Sequence, residues 1–150
     1  MAERTSCRIL AVDLGDRRTG MAISDPGGSF ALGLPLIETA DGEEMLEGIV
    51  RVALDRCVEE IVIGLPKNMD GSLGPRARLT LEFAEQLHLR TGIPVTPWDE
   101  RLTSVQAEDM VAPMGLGKRR RKQQVNTVAA QLILDSFLGA RKRRGAEPQA

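Results

Sequence analysis

Residues 8–25 read RILAVDLGDRRTGMAISD, and this stretch decides the fold. Its two apolar runs, Arg8–Gly15 and Thr19–Asp25, contain β-branched residues, end at turn-forming residues, and predict two strands. Only the short link Asp-Arg-Arg joins them, so we expect an antiparallel hairpin. A single carboxylate, that of Asp13, interrupts the first run.

The spacing of the apolar residues predicts the remaining elements. They are a strand at Phe30–Glu38, a helix at Glu43–Cys57, a strand at Glu60–Gly64, a helix at Pro75–Thr91, a strand at Ile93–Asp99, a helix from Thr103 to about Val111, and a last helix at Gln124–Leu138. Gly33 and Pro35 indicate an irregular or edge position for the third strand. Thr103 and Gln106 form a capping-box pattern.

This order of elements predicts an α/β fold. Three consecutive strands followed by alternating strands and helices indicate a mixed central sheet, an antiparallel meander plus parallel strands, flanked by helices. We find no repeat and expect one domain over residues 1–140. A loop at Ala112–Gln123 should precede the last helix, and Arg141–Ala150 should form a basic, disordered tail.

The composition narrows the class of protein. With 150 residues, 42% of them hydrophobic and 27% charged, the chain can bury a core. No apolar run approaches the roughly 20 residues that span a bilayer, so we expect no membrane partner. The polar start Met1–Ser6 is unlike a signal peptide. Two distant cysteines and one histidine fit a reducing cytoplasm and exclude a zinc site built from those residue types.

Charge is distributed unevenly along the chain. Residues 118–150 hold nine lysines and arginines against two acidic residues, whereas the whole chain has a net charge of −1. Five of these cations are adjacent: Lys118, Arg119, Arg120, Arg121 and Lys122. Adjacent like charges repel and resist ordering unless an anion binds them. The segment therefore predicts a contact surface for nucleic-acid phosphates, although a merely solvated loop is the alternative.

Asp13 is the first candidate for chemistry. A carboxylate within an apolar strand is costly unless a partner compensates its charge. We interpret it as a metal ligand, with Gly15 and Gly20 allowing close approach of a phosphate or another backbone. Exposure at the strand end is the alternative. A short DxG hairpin also begins the phosphate-binding site of actin-like ATPases. On this motif alone, an actin-like ATPase is therefore an alternative class for the protein.

Two later segments add polar candidates. Gly64–Gly74 joins a strand to a helix, where α/β proteins often bind ligands, and Lys67 and Asn68 could contact a phosphate there. Of the neighbours Asp99 and Glu100, only one should face Asp13, because adjacent strand residues point to opposite faces. We choose Glu100 and expect its neighbour Arg101 to bind a carboxylate or a phosphate.

Four blocks, VDLGDRRTGMAISD, IGLPKNMDGS, WDERLT and VNTVAAQLIL, resemble in order and spacing the conserved blocks of the YqgF/RuvX family. The resemblance spans about residues 8–138. It implies an RNase H-like fold and a nuclease that matures the 5′ end of 16S rRNA in ribosome biogenesis. For some members it implies Holliday-junction-resolvase-like activity. The nucleic-acid partner would then be pre-rRNA or branched DNA.

The resemblance also implies an acidic site of Asp13, Glu100 and position 126. Position 126 departs from the family pattern, because Asn126 stands where an aspartate is expected. An amide oxygen can bind a hard cation but brings no charge. A variant with weaker metal binding, a member that only binds nucleic acid, and an engineered change all stay open.

The mechanism that follows is phosphodiester hydrolysis assisted by Mg²⁺ or Mn²⁺. Two such ions, roughly 3.5–4 Å apart, activate water and stabilise the leaving oxygen in sites of this kind. Asp13, Glu100 and Asn126 would be the ligands. Arg17, Arg18, Lys67, Asn68, Arg101 and the cluster 118–122 would hold the nucleic-acid backbone, which gives position rather than sequence readout. The sequence leaves the oligomeric state open, with a homodimer as one option.

Overall fold

A mixed five-stranded sheet organises the chain, which is described here from a computed structural model over residues 8–146. The elements are β1 (Ile9–Asp13), β2 (Arg18–Ser24), β3 (Ala31–Glu38), α1 (Gly42–Asp55), β4 (Glu60–Leu65), α2 (Pro75–Thr91), β5 (Val95–Asp99), α3 (Thr103–Val111), a 3₁₀ turn (Ala112–Met114) and α4 (Lys118–Ala146).

The strands lie in the order β3-β2-β1-β4-β5. Strand β1 pairs antiparallel with β2, and β2 with β3, whereas β1–β4 and β4–β5 are parallel. The predicted α/β fold, with a meander joined to parallel strands, is therefore confirmed. The third strand lies at an edge, as its glycine and proline indicated.

Alternation along β1 divides the core between the two faces of the sheet. Leu10 and Val12 pack with residues of α1 and α2, whereas Ile9 and Ala11 pack with residues of α4. All four side chains are buried. Because the period of a strand is two, the next residue on the α4 face is Asp13. The strand thus directs its one carboxylate toward the last helix.

The last helix rests on β2 at a glycine. A Cβ atom added to Gly20 would lie 2.0 Å from the carbonyl oxygen of Asn126, closer than real contacts allow. Gly20 is also the pairing partner of Asp13 across the hairpin. The missing side chain therefore lets α4 lie directly over the end of β1, with Asn126 beside Asp13.

The last helix is longer than the sequence predicted. It begins at Lys118, so the loop predicted for Ala112–Gln123 is wrong over 118–123. Arginine and lysine favour helix, and Arg119 and Arg121 form ion pairs with acidic side chains of other elements. These pairs place an opposite charge beside two of the five adjacent cations, and the segment is helical rather than a loop.

The C-terminal end of α4 also extends past the predicted Leu138. The helix continues to Ala146, so the expected disordered tail is helical over its first six residues, 141–146. Arg141 pairs with Glu60 and lies over the ring of Phe137, with 4.9 Å between its guanidinium carbon and the ring centroid. These contacts tie the extension to β4. The last four residues of the predicted tail, 147–150, lie outside the described residues.

The predicted capping box at α3 is wrong. The helix begins at Thr103 itself, its N-cap is Leu102, and no side chain caps it. Leu102 has a φ of 78°, which is uncommon for any residue except glycine. This turn redirects the chain immediately after Glu100.

The close approach of α4 to β2 yields a stability prediction. Gly20→Ala should lower the free energy of unfolding by about 1–3 kcal/mol, because the new methyl group forces the helix and strand apart. Urea denaturation measures this loss. Gly42→Ala is the matched control, since a Cβ there meets nothing within 4 Å. Equal stability of the two variants would mean that α4 tolerates separation from β2.

Candidate active site

Asp13 lies at the end of β1 on the face covered by α4. It is partly buried, and the Asn126 Nδ2 donates a hydrogen bond to its Oδ2 at 3.4 Å. The predicted proximity of position 126 to Asp13 is therefore present in the structure. Asn126 lies eight residues after Lys118, so it is more than two turns inside α4 and away from the charged helix terminus.

Glu100 follows β5 immediately, and its side chain hydrogen-bonds Asp13. Gly64 of the adjacent strand makes room for it, since a Cβ there would lie 2.8 Å from the Glu100 carboxyl carbon. Asp99 instead accepts hydrogen bonds from Arg101 Nε. The choice of Glu100 rather than Asp99 as the neighbour of Asp13 thus agrees with the geometry.

The two neighbouring carboxyl groups have perturbed acidities. Burial, together with the charge of Asp13 and the hydrogen bond between them, raises the pKa of Glu100 to about 8. Burial also raises the pKa of Asp13, against the lowering effect of hydrogen bonds from Asn126 and Glu100. The upward shift of the Glu100 pKa favours a protonated Glu100 whose O–H donates a hydrogen bond to the Asp13 carboxylate.

These side chains line a cavity of about 300 Å³. The three candidate ligands line it together with three cationic side chains, Lys67, Arg76 and Arg101. The remaining lining residues are Leu14, Gly15, Pro66, Met69, Leu102 and Ser104. Carboxylates beside lysine and arginine make a site with room for both a cation and a phosphate.

Arg76 is the site residue that the sequence reasoning missed. It is the second residue of α2, and its charge lowers the pKa of both Asp13 and Glu100. Its Nη1 lies 3.5 Å from Asp16 Oδ1. The one signal in the sequence was its place beside Pro75, at the end of the candidate loop, where a helix start was already predicted.

Arg101 is held rigidly at the cavity. Its guanidinium contacts the carboxylate of Asp99, with 2.9 Å between Nη2 and Oδ2, and its Nη1 donates to the carbonyl of Met69 at 3.0 Å. Burial opposes the ionisation of Asp99, but the Arg101 hydrogen bonds lower the pKa of this carboxyl overall. Of the two partners predicted for Arg101, the carboxylate is present in the structure as Asp99, and the phosphate contact stays a prediction.

Other predicted nucleic-acid contacts lie outside this cavity. Asn68 is not among the lining residues and instead donates to Ser72 Oγ at 2.9 Å within its own loop. Arg17 is exposed at the hairpin turn. Arg18 Nε donates to Glu38 Oε2 at 3.1 Å. The structure therefore does not bring these three side chains to Asp13 and Glu100.

The basic segment 118–122 forms the first turns of α4. Arg119 lies 3.7 Å from Glu38, the residue that also pairs with Arg18, so the two arginines are close to one carboxylate. Arg121 pairs with Glu108 at 3.4 Å. Lys118, Arg120 and Lys122 are exposed. The segment is an ordered basic surface that runs along the same helix as Asn126.

The oxygen donors of the site fit the predicted metal ions, although they form a small group. Within residues 8–146, no three acidic, histidine or cysteine side chains form a cluster of the size usual for a metal site. The site instead offers two carboxylates and one amide. Oxygen donors of this kind suit Mg²⁺ and Mn²⁺, so the residues fit these ions with one charge fewer than three carboxylates would supply.

The described helices include none long and apolar enough to cross a membrane.

A family model described as "RuvX: Holliday junction resolvase" matches residues 7–140. The chain belongs to the RuvX family. A relative from Desulforudis audaxviator, named "Putative pre-16S rRNA nuclease", is 40% identical and covers 90% of this chain and 96% of its own. One from Halothermothrix orenii with the same name is 45% identical, with 87% and 94% covered. The resemblance to this family that the four sequence blocks indicated is confirmed.

The solved structures agree on the fold of this RuvX family member. RuvC of T. thermophilus in complex with a Holliday junction substrate aligns with a TM-score of 0.56 at 17% identity. The alignment covers 91% of this chain and 96% of that one. At this identity the likeness establishes the RuvC-like RNase H fold alone, which is the fold that the resemblance implied.

The raised pKa of Glu100 predicts how stability varies with pH. The unfolded residue ionises near 4.5, whereas the folded one keeps its proton to about pH 8. The folded state therefore binds more protons in this window, and the free energy of unfolding falls as pH rises from 4.5 to 8. Glu100→Gln removes this titration. Without divalent cations, the variant should be more stable than wild type at pH 8 by about 1–3 kcal/mol.

Urea denaturation across this pH range measures the effect, and the difference should shrink toward pH 4.5. Glu82→Gln is the matched control, because it makes the same change at an exposed position of α2. Its profile should follow that of wild type. Parallel profiles for Glu100→Gln and wild type would show that the Glu100 carboxyl ionises freely in the folded protein.

Proposed function

We propose that this RuvX family member is a metal-dependent endonuclease that cleaves phosphodiester bonds in structured nucleic acid. The observation that supports this most is the meeting of Asp13, Glu100 and Asn126, from three distant segments, in one cavity that Lys67, Arg76 and Arg101 also line. The acidic oxygens would bind metal ions, and the neighbouring lysine and arginine side chains would bind the phosphate.

Asp13, Glu100 and the Asn126 amide oxygen would hold one or two Mg²⁺ or Mn²⁺ ions. A bound ion would supply Lewis-acid stabilisation of phosphate charge and lower the pKa of attacking water. For the amide oxygen to take part, Asn126 would turn its side chain, since its Nδ2 is the atom assigned toward Asp13. Glu100 would release its proton as the cation binds.

Lys67, Arg76 and Arg101 would position the scissile phosphate. Arg101 is already fixed by Asp99 and by the Met69 carbonyl, so little side-chain entropy is lost when it binds an anion. Arg76 can neutralise a phosphate oxygen because it already acts electrostatically on both carboxyl groups. In this proposal, the side chains of the protein bind and orient the substrate and neutralise the charge of its phosphate.

The basic start of α4 would bind phosphates away from the cleavage point. Lys118, Arg120 and Lys122 are exposed, and Arg119 shares the carboxylate Glu38 with Arg18. Contacts of this type fix the register of a nucleic acid on the protein without reading its bases. A structured substrate that spans both the cavity and this helix therefore fits better than a short single strand.

The names of the relatives point to the biological substrate. Curated relatives are named for pre-16S rRNA, and we place the reaction at the 5′ end of that precursor, in the cytoplasm. The family model carries the name of a Holliday junction resolvase, so branched DNA is the second candidate. The same family assignment favours a nuclease over the actin-like ATPase that the DxG hairpin had left open.

Asp13→Asn tests the proposed function. The variant should lose Mg²⁺- or Mn²⁺-dependent cleavage to below about one hundredth of wild type, because it removes a charged ligand. The substrates are an RNA spanning the 16S 5′ precursor boundary and a four-way DNA junction, each followed by gel electrophoresis. Preference for one of them decides between the two candidates.

Asp109→Asn serves as the control. It makes the same substitution at an exposed residue of α3, outside the cavity, and should cleave as wild type does. Circular dichroism confirms that both variants are folded. Cleavage by Asp13→Asn at the wild-type rate would overturn the assignment of this cavity as the active site.

Asn126 favours a second candidate, binding of nucleic acid with weak or no cleavage. Two carboxylates offer two negative charges, so two divalent cations would be only half neutralised. Phosphate contacts through the basic residues need no metal and would persist. Measuring binding and cleavage separately in the wild-type protein distinguishes the two functions.

Asn126→Asp should increase both metal affinity and cleavage. A third carboxylate neutralises more cation charge, so the gain in melting temperature on adding Mn²⁺ should exceed that of wild type. Without metal the variant should be slightly less stable, because a carboxylate at position 126 repels Asp13 and cannot donate the hydrogen bond that Asn126 gives it. Thermal denaturation with and without Mn²⁺ measures both effects.

Gln124→Glu is the control for Asn126→Asp. It adds one negative charge to the same helix two positions earlier, at a residue that does not line the cavity. Its response to Mn²⁺ should match wild type. An identical Mn²⁺ response of Asn126→Asp and Gln124→Glu would exclude position 126 from the metal site.

A further inference from the structure

A second cavity of about 300 Å³ lies beside the candidate active site. It is formed where the end of β1 meets α1 and α2. Its lining residues are Leu14, Gly15, Asp16, Ala40, Gly42, Met45, Arg76, Leu79, Thr80 and Phe83. Of these lining residues, the proposed cleavage chemistry uses only Arg76.

The two cavities share one wall. Leu14, Gly15 and Arg76 line both of them. Gly15 has no side chain to separate them, and a Cβ there would clash with the Arg18 carbonyl oxygen at 2.3 Å, so the hairpin turn depends on this glycine. A ligand that contacts these shared residues from both sides would therefore extend from Asp13 and Glu100 into the second cavity.

The chemistry of the second cavity is that of a flat apolar ligand with a polar edge. Met45, Leu79 and Phe83 supply apolar and aromatic surface. Asp16 and Arg76 lie at its polar side, 3.5 Å apart, and the Asp16 carboxylate is 89% exposed. A carboxylate there can accept hydrogen bonds from the amino or imino groups of a base, and Arg76 can contact the adjoining phosphate.

We infer that the second cavity binds one unpaired nucleobase next to the scissile phosphate. This inference rests on the proposed function of the neighbouring cavity. The volume is at the lower end of the range for ligand sites and accommodates a single base. Arg76 holds the phosphate that joins the two cavities, which explains why one arginine faces both.

The occupant follows from continuity with the nuclease site. A nucleic acid whose scissile phosphate contacts Arg76 would place a neighbouring base beside Leu14 and Gly15, because these two residues and Arg76 line both cavities. A base within a duplex is stacked and paired, and cannot enter a cavity between two helices without leaving the stack. The substrate class is therefore nucleic acid with an unpaired nucleotide at the cleavage point, such as a bulge or a junction.

Binding without divalent cations tests the base site separately from catalysis. The probe is an RNA duplex with one bulged purine, and the comparison probe has an abasic residue in the bulge. Fluorescence anisotropy at low salt gives both dissociation constants. Wild type should bind the purine bulge at least about fivefold more tightly, because a base in the cavity gains stacking and apolar contact.

Leu79→Asp and Leu89→Asp form the matched pair of variants. Both leucines lie on α2 and are 64% and 66% exposed, so neither substitution removes core packing. Only Leu79 lines the second cavity. Leu79→Asp should abolish the preference for the purine bulge, and Leu89→Asp should keep it.

Equal binding of the two probes by wild type would overturn the inference, as would a preserved preference in Leu79→Asp. Loss of the preference in Leu89→Asp would also contradict it, because the effect would then be general. Failure of the proposed function is distinguishable, since it would appear as persistent cleavage by Asp13→Asn. The metal-free preference for the purine bulge would be unaffected by that result.

Discussion

The distance between α4 and β2 is the constraint on which the candidate site depends. Gly20 allows the helix backbone to touch the strand, and Gly33 repeats this on β3, where a Cβ would lie 2.7 Å from Thr127 Cγ2. Because Gly20 is paired with Asp13, a helix lying on this glycine also lies beside that carboxylate. The Asn126–Asp13 hydrogen bond is already long at 3.4 Å, so a small outward shift of α4 would break it.

Much of the fold and the position of Asp13 could be predicted because they follow from local periodicity, whereas position 126 entered the predicted site only through the family resemblance. The short Asp-Arg-Arg link required a hairpin, and the period of two in β1 placed Asp13 on one defined face. The same alternation predicted that only one of Asp99 and Glu100 could face Asp13, and the choice of Glu100, which the family resemblance also implied, agrees with the geometry. These inferences needed no knowledge of distant contacts.

The rest depended on residues remote in sequence. Charge repulsion within 118–122 suggested a loop, but Glu38 and Glu108 come from β3 and α3 to pair with Arg119 and Arg121. Arg76 carried no motif, and its role emerges only when α2 starts beside the end of β1. The capping box failed similarly, because the chain turns at Leu102, one residue before the pattern assumed. Tertiary contacts override local propensity in each case.

The hydrogen bond from Asn126 to Asp13 joins residues 113 positions apart, and this separation has a consequence for biosynthesis. The hairpin that holds Asp13 is synthesised well before α4, because β1 and β2 precede that helix in the chain. A nascent chain can pair β1 with β2 but has nothing to cover that face of the sheet, which exposes Ala11, Ala22 and Val62. The cavity is therefore completed only after α4 has been synthesised, and a chain truncated before α4 carries an incomplete site.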